Sequence, residues 1–80
     1  MNMLRMGMSG PNVRDLQEML NLQVADRPLL SVDGIFGPKT KASVVKFQAA
    51  NRLVADGIVG PLTSKALVAA VLIRTLKPGS

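Results

Sequence analysis

The sequence predicts an all-α domain: a compact three-helix bundle with an internal Asp-Gly-x-x-Gly-Pro-x-Thr loop-helix repeat. Three observations carry this. Asp33-Gly34-Ile35-Phe36-Gly37-Pro38-Lys39-Thr40 is answered, 23 residues later, by Asp56-Gly57-Ile58-Val59-Gly60-Pro61-Leu62-Thr63, with six of eight positions identical. Chance rarely delivers such a match in so short a chain, and the period fits one helix plus one connecting loop. A third, weaker copy lies upstream as Gly10-Pro11-Asn12-Val13, so three Gly-Pro starts imply three helices. Apolar residues at helical spacing follow the first two starts, and a continuous apolar run follows the third.

Each position of the repeat has a local job. Asp-Gly is a tight-turn dipeptide, because Asp can bond the backbone two residues on and Gly takes positive φ without steric cost. The apolar residue that follows, Ile35 or Ile58, is expected to drop from the turn into the core. Pro is preorganised at the first helical position, where its missing N–H costs nothing, and Gly before it is a tolerated N-cap. Thr40 and Thr63 then fall in the first turn, where a hydroxyl can meet unpaired backbone groups.

In chain order, 80 residues make one small domain. It is expected to fill residues 1–76, with 77–80 the start of a linker or a cloning remnant. A chain of this size buries only about 60–65% of its unfolded surface, so the core is thin. Residues 1–10 lack the continuous apolar stretch and cleavage site of a secretory signal. The first helix is expected over Pro11–Leu22, with Val13, Leu16, Leu20 and either Met19 or Gln17 on one stripe. Pro28 halts any continuation, and residues 23–32 form the least constrained segment, carrying Arg27. The second helix is expected over Pro38–Asn51, with Val44, Phe47 and Gln48 inward beside Thr40 and with Lys39, Lys41 and Lys46 outward. The third is expected over Pro61–Leu76. Its run Ala66–Ile73 is apolar on every side, and one face of such a helix cannot be buried in a lone domain of this length. The run is far too short to span a membrane.

The available chemistry is narrow. There is no Cys and no His, so disulfides and thiolate or imidazole metal ligation are excluded, and no cofactor is implied. The carboxylates are Asp15, Glu18, Asp26, Asp33 and Asp56. Glycoside hydrolysis wants two across a cleft, whereas Asp33 and Asp56 are each better explained by a turn. Nucleophilic catalysis lacks its usual base, so the domain is expected to be noncatalytic. The formal net charge is +5, which suits phosphate attraction. Yet the basic residues are spread over every element, no helix carries an array that reads base edges, and no aromatic platform exists for stacking. Nucleic acid is therefore not the expected partner.

Leu4-Arg5, Gly7, Gly10, Val13, Leu16-Gln17 and Leu20, then Val32-Asp33-Gly34, Phe36-Gly37, Thr40, Val44 and Phe47-Gln48, then Asp56-Gly57-Ile58-Val59-Gly60, Thr63 and Ala66-Leu67 together resemble the peptidoglycan-binding domain family. These are small three-helix modules attached to bacterial and phage lytic enzymes. The likeness runs from residue 4 to about 72. Two departures stand out: Ser43 replaces the usual Ala, and residues 21–31 lack Gly. The resemblance implies noncatalytic binding of bacterial peptidoglycan, targeting a linked lytic enzyme such as a phage endolysin. If Met1 begins the natural protein, it is made in the cytosol and acts at the cell wall or periplasm after release through a membrane pore. With no Trp or Tyr to stack on glycan, stem peptide or a sugar-peptide edge is the expected contact, and a basic surface favours approach to an anionic wall. The resemblance also suggests a shallow groove beside the repeated loops, which points to Asp33, Gly34, Phe36, Thr40, Asp56, Gly57 and Thr63, with Arg27 and Arg52 at the rim. The apolar third helix suggests a packed partner, such as the linked catalytic domain. The alternative is a docking module that uses this helix in a phage or secretion assembly.

Overall fold

A computed structural model describes residues 3–23 and 30–76, with the side chains of 74–76 excluded. Its helices are α1 (Pro11–Gln23), α2 (Pro38–Ala50) and α3 (Pro61–Leu76), each beginning at the proline of a Gly-Pro pair. Gly37 is the N-cap of α2 and adopts an extended conformation with no side-chain cap bond. The helix starts expected from the Gly-Pro pairs are therefore the observed ones, and the ends of α1 and α2 differ from expectation by a single residue.

α1 is the helix against which both others pack. Its inward stripe is Val13, Leu16, Gln17 and Leu20, and that of α2 is Thr40, Val44, Phe47 and Gln48. Both stripes follow the spacing at which side chains stack on one helical face. Leu4, Phe36, Val59 and Leu67 complete the core, with Met19, Leu30, Leu53, Ala66 and Ala70 packed around it. A glutamine on each of two core stripes is unusual, and both are about 1% exposed.

The segment before α1, which turns once at Met6–Gly7, stitches the two Asp-Gly loops together. Leu4 forms an antiparallel bridge with Val59, its N–H donating to the Val59 carbonyl at 3.1 Å and Val59 donating back at 2.8 Å. Further along, Phe36 N–H donates to the Met8 carbonyl at 2.9 Å, and Gly7 N–H donates to the Phe36 carbonyl at 3.1 Å. Gly7, Gly34 and Gly57 all have positive φ, at 93°, 76° and 75°. Gly7 stands three residues before its Gly-Pro, as the other two do, which extends the weak third copy into backbone geometry.

Two local expectations are corrected. Ile35 and Ile58 are not core residues: Ile35 is 58% exposed and Ile58 half-buried, and Phe36 and Val59 are the buried residues at 1% each. The turn decides this. Each Ile donates its N–H to the preceding Asp and its carbonyl accepts from a buried glutamine, so its backbone faces the fold and its side chain is kept out of the core. In extended chain the next residue takes the opposite side. The Thr40 and Thr63 hydroxyls accept from glutamine side chains rather than serving backbone groups.

Candidate binding site

The loops are held by two buried glutamines in one repeated arrangement. Gln17 of α1 accepts the Gly34 N–H on Oε1 at 2.9 Å. Its Nε2 faces Asp33 Oδ1 at 3.0 Å, the Ile35 carbonyl at 3.0 Å and Thr40 Oγ1 at 3.1 Å. Gln48 of α2 repeats the set one loop later: Gly57 N–H at 2.9 Å, Asp56 Oδ1 at 3.1 Å, the Ile58 carbonyl at 2.9 Å and Thr63 Oγ1 at 3.1 Å. An amide nitrogen has two hydrogens, so three acceptors share them. The orientation is also forced, because a flipped amide would set Oε1 against a carboxylate and a carbonyl. Each glutamine thus ties a helix to the loop after it and to the helix that follows.

Asp33 and Asp56 each receive a second bond on Oδ1, from Ile35 N–H and Ile58 N–H at 2.9 Å. These backbone bonds, and then the glutamine amides, hold both carboxyls below their ordinary value of 3.8. No cation contributes at either. Both aspartates are exposed.

The expected site residues divide by depth. Asp33, Asp56 and Arg52 are on the surface, while Gly34 and Gly57 are buried beside the glutamines. Phe36, Thr40 and Thr63 are 1%, 3% and 5% exposed; their side chains serve the core and the glutamine network rather than an outer face. Arg27 lies outside the described residues. Sequence reasoning passed over the roles of Gln17 and Gln48. The signal was available: both stand one residue beyond a buried apolar position, and both precede an Asp-Gly loop.

Arg52 has an unusual backbone. Its φ is 58°, the only positive value at a described non-glycine residue. It directly follows the C-cap Asn51; its N–H donates to the Ala49 carbonyl and that of Leu53 to the Gln48 carbonyl, at 3.3 and 2.8 Å. This is a Schellman ending with Arg where Gly is usual.

Two open hollows flank the loops. One, of about 270 Å³, lies between loop 33–35 and the start of α1, and includes Ser9, Pro11, Arg14, Asp33 and Ile35 in its lining. The other, of about 250 Å³, lies between loop 56–58 and the start of α3 and is lined largely by apolar residues, among them Met3, Val54, Ile58 and Leu62. Val54 and Leu62 are 79% and 72% exposed, and on α3 the exposed positions include Val68, Leu72 and Ile73. Among the described residues no acidic cluster could hold a metal ion, and no helix is long and apolar enough to cross a membrane.

Comparison with known proteins places this arrangement. The sequence model of the family described as "Putative peptidoglycan binding domain" matches residues 9–67. The zinc D-Ala-D-Ala carboxypeptidase of Streptomyces albus G is 51% identical over 61 residues, which are 71% of this chain and 22% of that protein. A Bacillus licheniformis protein named "Probable N-acetylmuramoyl-L-alanine amidase" is 43% identical over 67 residues, 84% of this chain and 19% of the relative. The chain thus spans about a fifth of the length of these relatives. The crystal structure of the SleB N-terminal domain superposes with a TM-score of 0.79 at 33% identity, covering 86% of this chain and 92% of that one.

Proposed function

Because the chain belongs to the peptidoglycan-binding domain family, we propose that it binds bacterial peptidoglycan without catalysis and holds a linked wall-cleaving enzyme at its substrate. The carrying observation is the family match over residues 9–67, which takes in both glutamine-held loops. Relatives named for carboxypeptidase and amidase activity, each several times longer than the match, support a tethered-enzyme setting. In this reading the enzyme acts at the cell wall, a phage endolysin being one form. Residues 1–76 are the binding module and 77–80 begin its tether. The docking-module alternative is not favoured by the relatives named above.

The ligand is a stem peptide or a sugar-peptide edge. Asp33 and Asp56 offer carboxylates, the tight turns at Gly34 and Gly57 hold those carboxylates at the surface, and Arg52 with Arg27 supplies charge at the rim. Phe36, Thr40 and Thr63 shape the site from beneath. Binding to one unit is weak, and a polymeric wall compensates through many sites and through the tether. The exposed side of α3 at Val68, Leu72 and Ile73 suits packing by the linked catalytic domain.

Sedimentation of the domain with insoluble sacculi, at low and high salt and with stem peptides present or removed, tests the reading. Retention at high salt that disappears on peptide removal is the expected result. Binding abolished by salt would reduce the claim to charge attraction, and no binding would overturn it.

A further inference from the structure

The two loops share one internal network, yet their outer surfaces differ. Arg14 and Lys41 hold the same place counted from their Gly-Pro pairs, whereas against the glutamine-held loops Lys41 corresponds to Gly10, each standing seven residues before its glutamine. Each stands four positions after the glycine of a Gly-Pro pair and donates its N–H to that glycine's carbonyl, at 3.2 and 3.0 Å. At loop 56–58 the methylenes of Lys41 lie over Gly57, so a β-carbon built there would come within 2.8 Å of Lys41 Cγ and Cε. At loop 33–35 the corresponding neighbour of Gly34 is the Gly10 carbonyl, at 3.3 Å. The atoms nearest such a β-carbon at Gly34 are all backbone, and Arg14 lines the open hollow of about 270 Å³ with Asp33 and Ser9.

That hollow presents a guanidinium and a carboxylate that do not neutralise each other. Asp33 takes its stabilising bonds from the Ile35 N–H, the Gln17 amide and its own backbone, not from a cation. Pro11 and Ile35, which suit small apolar side chains, and Ser9 line the same hollow. A ligand with a carboxylate and an N–H or amine donor on a short peptide backbone would satisfy both ends. An uncharged glycan could hydrogen-bond to both ends but would bring no charge to pair with Arg14. Among the described residues the apolar hollow at loop 56–58 lacks this pairing, since its only carboxylate is Asp56 and no cation lines it.

We propose that the domain has one peptide-binding subsite, the hollow between Arg14 and Asp33, in which Arg14 pairs with a carboxylate of the ligand and Asp33 receives its amine or amide N–H. The proposal rests on the wall-binding reading and narrows it: the two loops are alike in construction, and only the first receives the peptide. Arg guanidinium holds carboxylate through two parallel bonds, which gives orientation as well as attraction.

The test uses the 80-residue chain with a soluble stem peptide, followed by amide chemical shifts, alongside sacculus sedimentation. Shifts are expected at Gly10, Gly34 and Ile35, with Gly57 and Ile58 still. Arg14→Gln should weaken peptide binding about tenfold, and Asp33→Asn, which keeps the oxygen that Gln17 and Ile35 use, should weaken it severalfold. Lys41→Gln should leave it unchanged. Equal effects of Arg14→Gln and Lys41→Gln would show charge attraction and overturn the subsite, as would shifts confined to loop 56–58. If Arg14→Gln binds sacculi and peptide as the unaltered chain does, the subsite falls and the wall reading stands. If the unaltered chain fails on sacculi, both fall. Competition by inorganic phosphate as strong as that by the peptide would assign Arg14 to an anionic wall polymer and overturn the peptide assignment.

Discussion

Gln48 shows how much one side chain can govern here. It is 1% exposed and meets four partners in two elements beyond its own. Replacing it by Met keeps the volume but leaves the buried Gly57 N–H unpaired, a loss of about 1–3 kcal/mol. Gln48→Glu should be worse, because a carboxylate would then face the Asp56 carboxylate and the Ile58 carbonyl. Urea denaturation of both variants checks the order. The aspartates add a pH dependence. Their folded pKa values lie below the ordinary 3.8, so the stability they contribute is complete above that value and is lost as pH falls through and below it. Melting temperature should therefore drop in acid, and less steeply in Asp33→Asn/Asp56→Asn. The loop residues were legible in part. Asp-Gly announced its turn, but the inward side of the next two residues was not readable, since Ile35 and Phe36 are both apolar and only the hydrogen bonds at Ile35 choose between them.

Helix boundaries were the easiest feature to read. Proline at the first helical position and glycine before it are local signals that need no tertiary context, and all three helices begin where those signals stand. The end of α2 was harder, because its left-handed residue is Arg52 and not Gly. For an L-residue this conformation costs roughly 1–2 kcal/mol. Arg52→Gly is thus expected to stabilise the domain by about 1 kcal/mol, net of glycine's greater freedom when unfolded, and to raise Tm by roughly 4–8 °C. Calorimetry reads the gain, and sedimentation with sacculi reads any loss of affinity. A more stable domain that binds less well would identify Arg52 as strain retained for ligand contact. α3 was legible for a different reason. Its apolar run exceeds what packing on α1 can cover, and Leu72 and Ile73 are 50% and 70% exposed.

The three helices close through a segment that is not helical. Leu4 is 2% exposed and bridges to Val59, while Gly7, Met8 and Gly10 bond the first loop. Leu4→Ala should cost about 2–5 kcal/mol, a large share of the total in a domain expected to be stable by only a few. Leu62→Ala, at an exposed position, should stay within about 0.5 kcal/mol of the original. Denaturant midpoints of the two variants make the comparison. The fold class was readable because the repeat and the Gly-Pro starts are local in sequence. The stitching was not, because a backbone bridge leaves no mark on the identity of the residues it joins. It also sets an order of events in synthesis. Within the domain Leu4 leaves the ribosome well before its partner Val59, which is among the last of the core to follow. Until then the nascent chain can wind α1 and α2, but it holds an unpaired edge and an unfilled place in its interior. Folding therefore completes as a closing step from end to end, late and all at once.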